Sequence, residues 1–203
     1  MTDEKKEVRL NIGAGLSSIP GFINIDISPK ADISLNLSED KLPFDDNSVD
    51  LIFTYHTLEH VPNYLFALSE MYRVLKHGGR LLVGLPYVTH TDSHLVNPYH
   101  IHNFNESSFD YFDVSKLKGS AAEESPVFFK KVFHRYQYFG LIKIFPSPIK
   151  KWCRRHLLNI VERIDFGLIV IKDTNDIPVV TKKTENMFRQ EFQRCLTSRV
   201  LYD

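Results

Sequence analysis

The sequence predicts an α/β domain built on a mostly parallel, Rossmann-like sheet, and three stretches carry that expectation. Residues 8–26, VRLNIGAGLSSIPGFINID, read as a short apolar strand (8–12), a glycine turn (Gly13-Ala14-Gly15) and a second strand (22–25) closed by an acid. Residues 49–55 are an apolar, β-branched and aromatic run of the kind buried in a parallel sheet. Between that run and the next one, residues 80–86, Leu65, Leu68, Tyr72 and Leu75 recur at helical steps. Strands alternating with a helix favour a parallel sheet with its ligand at the strands' carboxyl ends.

Composition bounds the rest. The chain has 203 residues, 43% of them hydrophobic, with 25 basic and 25 acidic side chains. That length suits one α/β domain with a complete core. Zero formal net charge removes the global attraction that a basic chain has for nucleic acid, so no nucleic-acid partner is expected. The opening MTDEKKEVRL is charged and has no apolar centre of a signal peptide. No apolar run approaches the roughly 18 residues of a spanning helix. Cys153 and Cys195 stand far apart in helix-like contexts. Neither a disulfide framework nor a cysteine metal site is expected, and a cytoplasmic location is the default.

Glycine at a strand's exit lets the backbone turn sharply and approach a ligand without a Cβ in the way. An acid at the tip of the neighbouring strand can take both hydroxyls of a ribose. Gly13, Gly15 and Asp26 therefore make a candidate nucleotide site. After Pro29, residues 31–37 (ADISLNL) alternate as a short third strand, and the Asp45-Asp46-Asn47-Ser48 cluster reads as a turn. Pro62 fits the first position of the helix, and His77-Gly78-Gly79 ends it with a left-handed glycine cap. Residues 87–105 have no apolar period and read as a loop at the functional edge of the sheet. Four of the nine histidines, His90, His94, His100 and His102, fall there. Their spacing fits no tight ligand motif and only Asp92 among them is a carboxylate, so no metal site is expected. Residues 106–112 read as a short helix capped by Asn105.

In the last third, 116–125 is a surface loop, 127–138 an aromatic-rich strand and 167–172 the final strand. Ser147 can cap a helix with Pro148 at its first position. Ile149, Trp152, Cys153, Leu157, Ile160, Val161 and Ile164 then share one side of a helix over 147–164, with Lys150, Lys151, Arg154, Arg155 and Arg163 on or beside the other. A basic, tryptophan-bearing amphipathic helix suits peripheral contact with a membrane, and equally suits covering the sheet or a partner subunit. Phe188, Phe192 and Leu196 recur at four-residue steps, so a terminal helix is expected, docked on the domain or on a second copy.

Four words in order, LNIGAG, GFINID, LPFDDNSVDLIFTYHTLEH and EMYRVLKHGGRLLVGLP, resemble the class I S-adenosylmethionine-dependent methyltransferases. Within that superfamily the chain is similar to the compact group found with polysaccharide and lipid-glycan biosynthesis. The resemblance runs from Val8 to roughly Phe112, about half of the chain. It implies a methyltransferase-like domain over 1–175 with a helical insertion at 141–165, a last strand pairing antiparallel, and a C-terminal helical tail over 176–203. It implies S-adenosylmethionine as cofactor and methyl transfer to a sugar, a lipid-linked glycan or a small-molecule hydroxyl or amine. The methionine half of the cofactor would lie against Gly13, Ala14 and Gly15, with Asn11 just before them. Asp26 would take the ribose, Asn36 and Leu37 would border the adenine, and Tyr55 and His56 would close over the sulfonium. Asn97-Pro98-Tyr99-His100 resembles a recurring element of this group where the acceptor enters. His100 is accordingly the candidate general base and His60 the next, unless Leu58-Glu59-His60 only caps the following helix.

The chain departs from the family at three places. Asn11 stands where an acid is usual, and Ser18 replaces the third glycine. The chain goes from Gly15 to Asp26 in only eleven residues, so the helix between the first two strands is shortened or absent. Two rival readings follow from the same residues. A nicotinamide-dependent oxidoreductase uses a similar glycine turn, and a degenerate methyltransferase fold could serve as the binding partner of a larger enzyme.

Overall fold

The computed structural model describes residues 6–116 and 127–202. Its main sheet contains β1 (Arg9–Ile12), β3 (Ile23–Asp26), β4 (Ile33–Ser34), β5 (Val49–Tyr55), β6 (Leu75–Pro86), β7 (Phe129–Tyr138) and β8 (Val161–Val170). The spatial order is β4-β3-β1-β5-β6-β8-β7. The five strands from β4 to β6 are parallel, while β8 runs antiparallel to both β6 and β7. This is the mostly parallel α/β sheet with an antiparallel closing strand that the sequence predicts. Strand order reverses at β1, with β3 on one side and β5 on the other. A crevice opens outside the carboxyl ends of strands at such a switch point.

Two apolar layers sandwich the sheet. On one face α1 (Tyr64–Val74) sets Leu68, Met71 and Val74 against Leu10, Ile12, Ile52 and Leu81. Phe104, Phe109 and Phe112, from the segment after β6, extend that layer over β8. On the other face α3 (Lys182–Thr197) presses Phe188, Phe192 and Cys195 onto Leu51, Phe53, Leu82 and Phe133. Burial of each such phenyl ring contributes about 1.5–3 kcal/mol. The terminal helix is therefore docked on its own domain.

A small second sheet pairs β2 (Ser17–Ser18) antiparallel with β9 (Val200–Leu201). It occupies the segment between β1 and β3 where the sequence predicts a shortened or absent helix, and no helix is present there among the described residues. Arg199 fastens it, donating from Nε to Ser17 Oγ at 2.8 Å, and the Tyr202 amide adds a bond to the Leu16 carbonyl.

Several element boundaries differ from the sequence expectation, each for a local reason. The strand expected over 31–37 shrinks to β4. Asn36 Oδ1 accepts from Ser38 N and Asp40 Oδ2 from Asn36 N, and these side-chain bonds turn the chain away. Helix α1 starts at Tyr64, two residues later than Pro62 suggests, because Asn63 is its cap and accepts from Phe66 N at 3.2 Å. It ends at Val74, not at the glycines, because Leu75 already pairs with Val49 in the sheet. Leu65 is exposed, and Met71 fills the apolar stripe in its stead. Residues 106–112 are successive turns, although Asn105 does accept from Ser107 N.

The largest correction concerns 147–164. Helix α2 spans only Ser147–His156, with Pro146 at the cap position and no side-chain bond there. Ile160 lies outside it, and Val161, Arg163 and Ile164 belong to β8, which starts at Val161 where 167 was expected and ends at Val170. The helical spacing of these residues is real, yet a position between β6 and β7 satisfies the backbone on both sides, which a lone helical turn does not. Strand β7 begins at Phe129, two residues late. The loop expected over 116–125 lies, apart from Lys116, outside the described residues.

Candidate functional site

The crevice at the switch point holds a cavity of about 460 Å³. Gly13 and Gly15 form its floor after β1, Asp26 stands at the tip of β3, and Asn36 and Leu37 wall it beyond β4. His56, Thr57 and His60, in the turn after β5, close the opposite side. Seven residues singled out in the sequence thus meet in one place: Gly13, Gly15, Asp26, Asn36, Leu37, His56 and His60.

Local geometry makes the glycines obligatory. Gly13 has φ +72°, and a Cβ there would fall 1.9 Å from Thr57 Oγ1. Gly15, at φ +60°, meets no atom and needs glycine only for its conformation. The turn's amides are already committed. Gly13 N and Ala14 N both donate to the Ile25 carbonyl, and Gly15 N donates to Asp26 Oδ2 at 2.8 Å. Asp26 Oδ1 accepts from Ser28 N, so each carboxylate oxygen keeps a lone pair for a ligand. The floor consequently offers acceptors and open space, and its bonded N–H groups leave no anion nest. His56 takes φ +52°, unusual for a residue with a Cβ, and is held there by its amide on the Gly84 carbonyl.

Three nominated residues are not walls of the cavity. Asn11 is buried and donates to Asn24 Oδ1 at 2.9 Å, part of an amide chain that continues to Asp32. Ala14 is fully buried beneath the turn. Tyr55 faces the α3 side of the sheet, because side chains alternate along β5. The guanidinium groups of Arg163 and Arg199 lie 5.0 and 4.9 Å from its ring centroid.

The loop after β6 brings His100 to the same rim. Ile101 N and His102 N both donate to the Glu59 carbonyl, which ties 97–102 to the turn after β5. The His60 and His100 rings meet edge to face, 4.5 Å between centroids. Burial holds the His100 imidazole below its ordinary value, with His60, His94 and His56 pushing the same way against Glu59. Glu59 does not cap α1, as the alternative reading of its tripeptide had it. Its carboxylate is fully buried with neither oxygen hydrogen-bonded, and His56 Nδ1 stands 3.4 Å away. Sequence reasoning passed over Glu59 because it lies far along the chain from the histidines of the loop; its adjacency to His60 was the available signal. Thr57, Ser38, Glu39 and Val61 also line the cavity, and nothing in their sequence context marks them.

Residues 22–83 match the family model described as a methyltransferase domain. A demethylmenaquinone methyltransferase of Staphylococcus epidermidis is 56% identical over 41 residues, 20% of this chain and 17% of that protein. The chain therefore spans less than a fifth of that relative's length. Among solved structures, a chain of the complex between the Haloferax volcanii Trm112 methyltransferase activator and a methyltransferase superposes with TM-score 0.55 at 15% identity, covering 85% of this chain and 86% of that one. An S-adenosylmethionine-dependent methyltransferase of Archaeoglobus fulgidus gives 0.53 at 15% identity, covering 81% and 86%. The fold is a methyltransferase fold. Within that fold the departures at Asn11 and Ser18 gain a structural reading. Asn11 joins the interior amide chain, and Ser17-Ser18 forms β2, paired to the C-terminal segment.

Proposed function

We propose that the chain is an S-adenosylmethionine-dependent methyltransferase acting on a small-molecule or glycan hydroxyl or amine. The observation that carries this reading is the floor of the cavity, where three turn amides are consumed internally and a carboxylate stands beside them. A pyrophosphate needs free N–H donors and a helix N-terminus, as in dinucleotide sites. This turn offers neither, which disfavours a nicotinamide cofactor. S-adenosylmethionine brings an ammonium, a sulfonium and a ribose diol, all suited to carbonyl and carboxylate acceptors. Asp26 takes the ribose hydroxyls, the Gly13–Gly15 backbone takes the methionine half, Asn36 and Leu37 border the adenine, and His56 flanks the sulfonium. The methyl carbon is activated by its own positive sulfur, so the protein's task is alignment and removal of the acceptor's proton. His100 and His60 are the groups at hand for that proton. Calorimetric titration with S-adenosylmethionine, S-adenosylhomocysteine and NAD tests the assignment. Binding of the first two alone is expected; binding of NAD, or of none, overturns it and, in the second case, favours a degenerate partner protein.

The acceptor side supports a lipid-linked substrate. Leu141, Ile144, Trp152 and Leu158 are exposed around α2, with Lys143, Lys150 and Lys151 among them, and only Cys153 of the helix is buried. No helix among the described residues is long and apolar enough to cross a membrane. Contact is accordingly peripheral, the apolar side chains entering the interface and the basic ones meeting anionic headgroups. Flotation with anionic vesicles at low salt, lost in Trp152→Ser, is the expected result; failure to float at low salt excludes it.

A further inference from the structure

Glu59 poses a problem that the methyltransferase reading leaves unsolved. A fully buried carboxylate with no hydrogen bond to either oxygen costs several kcal/mol unless a cation compensates it. No Lys or Arg reaches it among the described residues. What surrounds it is imidazole: His56 Nδ1 at 3.4 Å, His60 Nε2 at 4.0 Å, and His100. One ligand atom each from Glu59, His60 and His100 can be chosen so that all three lie within 4.8 Å of one another.

The tautomers of both histidines follow from their other partners. His60 Nδ1 is 3.1 Å from the Tyr99 carbonyl, which only accepts, so Nδ1 carries the proton and Nε2 a lone pair turned to Glu59. His94 Nε2 is 2.8 Å from Asn103 Oδ1, another acceptor, so a neutral His94 bears its proton there and accepts at Nδ1. His100 Nδ1, 2.9 Å from that atom, is then the donor, which leaves Nε2 of His100 as a lone pair. His60 thus turns an unprotonated Nε2 to the buried carboxylate, and His100, its Nδ1 committed to His94, has Nε2 left to offer a ligand. Metal-binding histidines are oriented in this way, the distal N–H held by a carbonyl or another acceptor.

We propose that Glu59, His60 and His100 form a binding site for a divalent transition-metal ion of the zinc class at the rim of the cavity. Two neutral imidazoles and one carboxylate suit a borderline cation, and three protein ligands leave a further position for water or a substrate oxygen. Ligands bound at about 2.1 Å in a tetrahedron lie roughly 3.4 Å apart, so side-chain adjustments on the order of 1 Å bring these three onto one ion. The backbone is already set, since the loop bearing His100 is tied to the Glu59 carbonyl through Ile101 N and His102 N. The 40 residues between Glu59 and His100 explain why no ligand motif shows in the sequence. The site does not depend on methyl transfer. Proton uptake by His100 or His60 is the metal-free alternative for the same side chains.

The test uses the full chain, stripped with a chelator and dialysed free of it, titrated with Zn²⁺ by calorimetry and with Co²⁺ by visible absorption. One ion per chain is expected, with the d–d bands of low-coordinate Co²⁺. Glu59→Gln and His100→Ala should each weaken uptake at least tenfold, while His156→Ala on the surface of α2 leaves it unchanged. Glu59→Gln is nearly isosteric and removes an unpaired charge, so without metal it should melt no lower than the unmodified protein. Added Zn²⁺ should then raise the melting temperature of the unmodified protein alone. Equal uptake by the variants overturns the site. So does absence of uptake by the folded, unmodified chain.

Discussion

The Gly15 amide donates to Asp26 Oδ2 at 2.8 Å, so the two halves of the first motif hold each other before any ligand arrives. The carboxylate is oriented by Gly15 N and Ser28 N, and its remaining lone pairs face the cavity. Asp26→Ala removes both the orienting bonds and the proposed acceptor of the ribose. Loss of charge-assisted hydrogen bonds of about 1.5–3 kcal/mol predicts a roughly ten- to hundredfold fall in S-adenosylmethionine affinity. Asp26→Asn keeps an acceptor for Gly15 N and should lose less. Titration calorimetry on both, with the fold checked by circular dichroism, reads the difference; unchanged affinity in Asp26→Ala removes Asp26 from the cofactor site.

Gly13 and Thr57 offer a second measurement, on stability. An alanine at 13 suffers twice, from φ +72° and from overlap with Thr57 Oγ1 at 1.9 Å. The left-handed conformation alone costs roughly 1–2 kcal/mol. Thr57→Gly should rescue the steric part of Gly13→Ala and leave the conformational part. Denaturant unfolding of the two single variants and the double variant is expected to be strongly non-additive. Additive losses would mean that the turn yields where Thr57 does not.

Arg199 is predicted to support the cavity from behind. It bonds Ser17 Oγ, covers the Tyr55 ring, and reaches towards the Ala14 carbonyl under the glycine turn. Arg199→Ala forfeits a hydrogen bond and a cation–π contact, together about 1–2.5 kcal/mol. A lower melting temperature and weaker cofactor binding should appear together. Arg199→Lys keeps the charge but loses the planar fork, so it should fall between. A fall in melting temperature with cofactor affinity intact would confine Arg199 to a structural role.

What the sequence disclosed and what it hid divide along one physical line. Elements whose pattern is local were readable: the β1 turn, buried β5, and the phenylalanine stripe of α3. Elements decided by distant partners were not. Residues 161–164 keep helical spacing yet are drawn into β8 by open edges on β6 and β7. Tyr55 ends β5 next to His56 but faces α3, because alternation along β5 overrides adjacency. The cavity itself was half legible. Gly13, Gly15, Asp26, Asn36, Leu37, His56 and His60 all carry motif signals, whereas Thr57 in the cavity and Glu59 buried beside it owe their places to contacts with residues remote in the chain. The β2–β9 pair, joining Ser17 to Leu201, has no local signature at all.

Glu70 supplies a prediction in pH. Its carboxylate accepts from Arg73 Nε at 2.8 Å, from Arg73 Nη2 at 2.7 Å and from Leu42 N at 2.9 Å, bracing α1 against the segment leading into β5. The Arg73 hydrogen bonds hold the carboxyl below its ordinary value; burial opposes them, and the Leu42 amide adds to them. A carboxylate whose value is lower folded than unfolded binds fewer protons in the native state. Its stabilisation is therefore fully present above the unfolded value, about 4.3, and is lost as pH falls through the folded value. Glu70→Gln keeps the shape without the charge, so it should melt below the unmodified protein at neutral pH. The gap should narrow progressively below about pH 4.3, as the native carboxylate itself is protonated. Thermal melts from pH 7 to pH 3 measure it. A gap that stays constant across that range would show that the bridge acts through packing, with its charge contributing nothing.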